Sequence, residues 1–418
     1  MLRPAHRSVR LLAVAAATAV ALTACGTGDQ APDGAASASA SAPSDHGTDG
    51  TDGAHDTGTP SPPASPSPLR AGEEFVTVGV ADDLPGGRYV PDAPEGSTDD
   101  YRCFLADPGL TSDAFVTGVQ FLPANPAVVH HSIVFRVEPD QVGAALEKDA
   151  EDERPGWECF GGPGLPSKSR NVMDGLDAAP WLAGWAPGGR ENLFADEVGV
   201  PLSAGSQVVI QMHYNLRVAT GDAAADNTQV RLRTSSRTDL EPLRTTLLPA
   251  PVELPCAEGQ SGPLCSRGSS VADVVRRFGQ GSMRTIGGLQ LLCDGDPFAP
   301  KAGATQSCVR KVRAPETVRA AAGHMHLLGK SITIVANEGT SRERTLLDIP
   351  VWDFDDQSAR PLDTPVALKP GDTITVTCTH DAALRDQLPS LQDVPDRYVV
   401  WGEGTTDEMC LGILLVTD

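Results

Sequence analysis

The run AAAGHMHLLGKSITIV, residues 320–335, places His324 and His326 directly ahead of a β-branched segment. Apolar and β-branched residues follow the pair at once, so the stretch reads as a strand. Residues i and i+2 of a strand point to one face. His324 and His326 can therefore present two imidazoles side by side to one ion. Taken alone, the pair also fits two exposed histidines on an edge strand.

The rest of the chain supports a β reading. FVTVGV (75–80), AFVTGVQFLP (114–123), VVHHSIVFRV (128–137), QVVIQMHYNLRV (207–218), DTITVTCTH (372–380) and LGILLV (411–416) are strand-like. Short β-branched runs recur between Gly/Pro turns, and long stripes of period 3.6 are scarce, which together indicate an all-β protein. Leu240-Glu241-Pro242 and Leu248-Pro249-Ala250-Pro251 break the pattern, giving one β-sandwich over 73–245 and a second over 246–418. The Gly/Pro/Trp-rich excursion from Trp157 to Arg190 is long for a loop without a role or a disulfide to order it. Residues 256–308 hold four cysteines and a short helix expected over Val271 to Phe278.

Ahead of the sandwiches lie two segments of different composition. Residues 1–25 form an export signal: Arg3, Arg7 and Arg10, an apolar run from Leu11 to Leu22, then Leu22-Thr23-Ala24-Cys25. The apolar run is too short to span a bilayer. Small residues before the cysteine resemble a bacterial lipobox, which implies cleavage before Cys25, lipid on its sulfur and a place on the outer face of the cell membrane. Residues 26–72, rich in Ala, Ser, Gly, Pro and Asp, read as a disordered tether. Acidic residues outnumber basic ones, 55 to 33, for a net charge of −22; this excludes the basic footprint that nucleic acid needs. No protein partner is indicated. The eight cysteines after Cys25 read as disulfides of an exported chain. None shows CxxC spacing, and proximity favours Cys256–Cys265 and Cys293–Cys308.

The chain has nine histidines, and five of the six in the folded part fall in three short strand-like motifs. His130 and His131 are adjacent, and on a regular strand they face opposite ways. Either the strand bulges there and both serve one ion, or one is a ligand and the other structural. His213 shares a strand face with Gln211 and Asn215. Met212 and Met325 point away from their histidine neighbours, toward a core. Met409 sits between a polar turn and the LGILLV strand. Thioether with imidazole favours copper over zinc or magnesium, because soft sulfur suits Cu(I). Calcium and magnesium would want carboxylates, which these motifs lack. His380, beside Cys378, reads as a surface residue.

Tyr101-x-Cys103, HHSIVF, Trp185-Ala186-Pro187, QMHYN, HMHLLGK and TTDEMC occur in an order that resembles the copper type II, ascorbate-dependent monooxygenase family, which includes the peptidylglycine α-hydroxylating and dopamine β-monooxygenases. The resemblance covers roughly residues 75–418 and implies two jelly-roll-like sandwiches with a water-filled cleft between two copper ions. It implies that His130, His131 and His213 hold an electron-supplying copper. His324, His326 and Met409 would hold the copper that meets dioxygen and substrate. In that family ascorbate reduces both ions, dioxygen is activated at the methionine-ligated one, and a C–H bond of a small molecule is hydroxylated. Disulfides Cys103–Cys159 and Cys378–Cys410 are implied by the same likeness. Peptide-amidating members anchor a carboxylate with arginine, asparagine and tyrosine where this chain has Ala322, Leu411 and Ile413. A glycine-extended peptide is therefore not the expected substrate. The alternative on the same scaffold is a copper-binding or electron-transfer protein without turnover.

Overall fold

The computed structural model describes residues 65–94, 97–166, 168, 169 and 171–418. The signal, Cys25 and the tether up to residue 64 lie outside the described residues.

The described chain is all-β, with strands gathered into mostly antiparallel sheets and few helices. One apolar core draws on residues from Val78 to Leu243 and the other on residues from Leu248 to Val416. Around the first core, strands pass alternately between two sheets. Glu73–Gly79, Ala114–Leu122, Val198–Leu202 and Gln229–Ser235 belong to a six-stranded sheet. Asp99–Ala106, Val129–Val137 and Gln207–Asn215 belong to a five-stranded one. Alternation along each strand sends one set of side chains between the sheets and the other outward. Met212, fully buried, joins the first core, whereas its neighbour His213 points the other way.

The second sandwich pairs two four-stranded sheets. One holds Arg244–Pro249, Leu411–Thr417, Glu316–His324 and Arg360–Leu368. The other holds Thr305–Lys311, Thr373–His380, Gly329–Ala336 and Arg344–Ile349. Gly323 is required by this packing: a Cβ there would lie 2.8 Å from Ile332 Cγ2. The 320–335 stretch is not one strand. The first strand stops at His324, a turn closes with Gly329 N–H donating to the His326 carbonyl at 3.3 Å, and a new strand starts at Gly329. His326 thus lies just past the strand end, where the chain must reverse to enter the other sheet.

The Trp157–Arg190 excursion has structure of its own. It holds a short helix, Val172–Asp177, and a strand, Trp181–Trp185, that pairs with Val129–Val137. Four-cysteine residues 256–308 form two helices, Arg267–Phe278 and Gln280–Leu292, not one. The second has three glycines and no strong apolar stripe, so periodicity did not mark it. The disulfides are Cys103–Cys159, Cys256–Cys265, Cys293–Cys308 and Cys378–Cys410. The last residues of the stretch read as tether are held in place: Arg233 donates to the carbonyls of Ser67 and Pro68 while pairing with Glu73 and Glu191.

Candidate metal centre

Register assembles the first histidine group. His213 is paired with Tyr101 on one side and His131 on the other, so the three stand in one row across three strands. Between Val129 and His131 the register slips by one residue. His130 is the extra residue, and this bulge turns its ring to the same side as His131. The Nδ1 atoms of His130, His131 and His213 are 3.2–3.3 Å apart pairwise. Three nitrogens at about 2.0 Å from a common ion would lie about 3.3–3.5 Å apart in tetrahedral or trigonal geometry. Without an ion, three lone pairs would crowd one point, so the donor set fits a metal.

Groups behind His213 fix which nitrogen is free. Its Nε2–H donates to Asp99 Oδ1 at 2.8 Å, which leaves the Nδ1 lone pair toward the other two rings. Asp99 also accepts from Asn215 at 3.1 Å and from the Thr405 hydroxyl at 3.0 Å. These bonds, with burial opposing them, hold the Asp99 carboxyl below its usual range. The Tyr101 ring stacks on His213 with centroids 4.0 Å apart, and its hydroxyl donates to the Glu403 carbonyl. Thr405 and Glu403 come from the second sandwich, so the first group is closed by its neighbour.

The second group is built differently. His324 Nδ1–H donates to Gln357 Oε1 at 2.6 Å, and His326 Nδ1–H donates to the Asp407 carbonyl at 3.2 Å. Both rings therefore keep their Nε2 lone pairs free, and His326 Nε2 is buried without a hydrogen-bond partner. A buried imidazole nitrogen without a hydrogen-bond partner fits a metal ligand. The two rings are 5.2 Å apart at near right angles. Met409 is buried and lines the same cavity as His324. A soft thioether beside two imidazoles suits Cu(I).

One buried carboxylate ties this group together. Glu408, inaccessible to solvent, accepts from the backbone N–H of His326 at 2.9 Å, Leu328 at 2.6 Å and Met409 at 3.2 Å. It also meets His380 Nε2 at 3.4 Å. His380 is thus not on the surface: it is 2% exposed and its Nε2 also lies 3.1 Å from the Met409 carbonyl. Burial disfavours its charged form, but Glu408 outweighs that and raises its pKa. Sequence reading missed Glu408, His380, Asp99 and Gln357 as supports. Only adjacency to Met409 could have marked Glu408.

The two groups abut. His131 and His324 rings are 5.9 Å apart, and His130 packs on Phe354 of the second sandwich at 5.1 Å. The expected water-filled cleft between distant ions is closed at this point. Burial, reinforced by neighbouring histidine charges, holds His130 and His131 well below the usual imidazole range and lowers His324 to about 4. All three are neutral, lone-pair-bearing groups at neutral pH. Gln211 is buried against the Cys103–Cys159 bridge, its amide 3.3 Å from Cys159 Sγ.

Residues 301–415, which include His324, His326 and Met409, match the family model described as copper type II ascorbate-dependent monooxygenase, C-terminal domain. Over 300 residues the chain is 25% identical to DBH-like monooxygenase protein 2 of Mus musculus, covering 69% of this chain and 38% of that protein. Both matches support the copper type II ascorbate-dependent monooxygenase family for this chain. The chain spans little more than a third of that relative's length. Among solved structures it is similar to PNGase F, a glycosylasparaginase from Flavobacterium meningosepticum, at 7% identity over 82% of this chain and 96% of that one, with a TM-score of 0.29. It is also similar to allantoicase, at 11% identity over 80% and 90% with a TM-score of 0.17. Likeness at this level carries no argument.

Proposed function

We propose that this protein hydroxylates a C–H bond of a small-molecule substrate, using dioxygen, an ascorbate-like reductant and two copper ions. The observation that carries this reading is the pair of adjoining donor groups, three convergent Nδ1 atoms facing two rings whose Nε2 atoms are kept free. Copper, when bound, supplies one-electron transfer and the activation of dioxygen. His130, His131 and His213 would hold one ion, and His324, His326 and Met409 the other. Asp99, Gln357 and the Asp407 carbonyl take the distal N–H of three of these rings and so set their tautomers. Three protein ligands per ion leave a position open at each. Tyr101, Phe160 and Phe278 pack together beside the first group and exclude water from that side.

The test is oxygen consumption by copper-loaded protein with reductant, followed together with formation of a hydroxylated product. Stoichiometric copper binding without turnover across a broad substrate panel would favour the electron-transfer alternative. We further propose that lipid on Cys25 holds the enzyme at the outer face of the cell membrane. Mass measurement of the mature N-terminus checks this, and an unmodified Cys25 would sink it.

A further inference from the structure

Between the two histidine-bearing sheets lies a cavity of about 820 Å³, the size of sites that take drug-sized ligands. His131 lines it from one side, and His324 with Met409 from the other. Register explains its walls. His324 is paired with Leu411 and Ala322 with Ile413, so all four share the face that looks into the cavity.

Much of the wall is hydrocarbon, because several of its polar side chains are bonded within the protein. Asn192 donates to the Gly184 carbonyl at 3.1 Å, Thr245 to that of Trp181 at 3.1 Å, and Ser132 to that of Gln211 at 2.8 Å. Trp185 Nε1 donates to the Gly189 carbonyl at 3.1 Å. Ile133, Met173, Leu182, Leu289 and Ile413 are among the apolar side chains that a ligand would touch. Among the described residues the lining holds one carboxyl group, Glu403, which burial and the Asp407 charge raise to about 7. Arg190 and Arg284 line the cavity but are exposed, so their charges stay on the water side.

At the mouth the chain leaves large apolar side chains in water. Val172, 74% exposed, and Leu291, 66% exposed, come from different sandwiches and both line the cavity. Exposed apolar groups around a concave apolar wall mark a binding surface.

We infer that the substrate is a bulky hydrophobic molecule whose apolar body fills this cavity between the sheets. The inference rests on the hydroxylase reading for the role of the occupant, but the cavity's ligand class is testable without copper. Copper-free full-length protein is titrated with the neutral apolar fluorophore N-phenyl-1-naphthylamine. Saturable binding with blue-shifted emission is expected. 1-Decanol displaces the dye and a glycine-extended tripeptide does not.

Two variants locate the dye. Gly288 lines the cavity on a helix, and nothing lies within 4 Å of where its Cβ would be. Gly288→Phe fills the space and weakens binding by about tenfold or more, whereas Gly288→Ala leaves it within about twofold. Leu291→Asp, at an exposed position that folding does not depend on, weakens binding about threefold or more. No saturable binding overturns the inference, as does binding that neither Gly288→Phe nor Leu291→Asp weakens, or displacement by the peptide and not by decanol. Dye binding in a protein that takes up no copper would sink the hydroxylase reading alone. Reductant-driven oxygen consumption without dye binding would sink the cavity assignment alone.

Discussion

The two histidine groups reach the same end by different construction. The first is woven into a sheet: His131 and His213 are register partners held by the ladder, and His130 is the extra residue of a bulge between paired neighbours. The second stands on chain ends. His324 closes a strand, His326 lies past it, and Met409 sits just before another strand. There the restraint comes from Glu408, whose carboxylate bonds the backbone of two ligand residues at once, and from the Cys378–Cys410 bridge beside Met409. The nitrogens differ as well, Nδ1 in the first group and Nε2 in the second. A sheet-built site is rigid through its neighbours, whereas a loop-built site depends on a few buried polar groups.

The contrast can be broken most severely at the ligands. Met409→Ile removes the thioether and takes hydroxylated product to background, while the first group still binds its copper. Product formation and copper stoichiometry measured on the same sample check this, and undiminished product would mean the oxygen site is misassigned.

Loss of support should cost the second group more than the first. Glu408→Gln cannot accept all three backbone N–H groups and lowers copper affinity at the second group by roughly 10–100-fold. It also lowers folding stability by about 2–4 kcal/mol, because buried donors lose their acceptor. Asp99→Asn removes the charge behind His213 and weakens the first group by about tenfold. Competition with a chelator, read separately for each ion, ranks the two. Equal losses would erase the proposed difference in construction.

Acid should act on both groups together. The folded state holds His130, His131, His213 and His324 below the ordinary imidazole value of 6.5, mainly by burial. As pH falls from about 6.5 toward 4, the unfolded chain takes up protons that these rings refuse, so copper-free protein loses stability. His380 runs the other way, since its raised pKa adds stability that is lost as pH rises through the folded value. Four lowered rings outweigh one raised. Unfolding midpoints of copper-free protein at pH 7 and pH 5 check the sign, and a higher midpoint at pH 5 would contradict it.

The smallest effect is expected at Tyr101→Phe, which loses the hydroxyl bond to Glu403 between the sandwiches and the hydroxyl's 3.0 Å contact with His213 Nδ1 but keeps the ring stacked on His213. About 1 kcal/mol of stability is at stake, with copper binding retained. A loss of copper from the first group would show that the hydroxyl, not the ring, matters.

Much of this was legible in the chain as written. Alternation and turn chemistry marked the strands that carry His130, His131 and His213, because a half-buried strand must repeat every second residue. The bulge at His130 was a stated condition, and the register slip meets it. His380 misled, because nothing local distinguishes a histidine at the end of a strand in water from one buried beside a carboxylate. The Gln280–Leu292 helix escaped because its glycines dilute the apolar period.

The sequence by itself determined the β class, the spacing of the donors and the soft chemistry of Met409, since these follow from residue type and a period of two. Tertiary structure alone decided which nitrogens are free, that Glu408 and His380 lie beneath the second group, and that the two groups meet across the sandwiches. Those facts depend on contacts between residues up to about three hundred positions apart, such as Thr405 with Asp99. No local pattern encodes such a contact, because the energy that fixes it appears only when both sheets are packed.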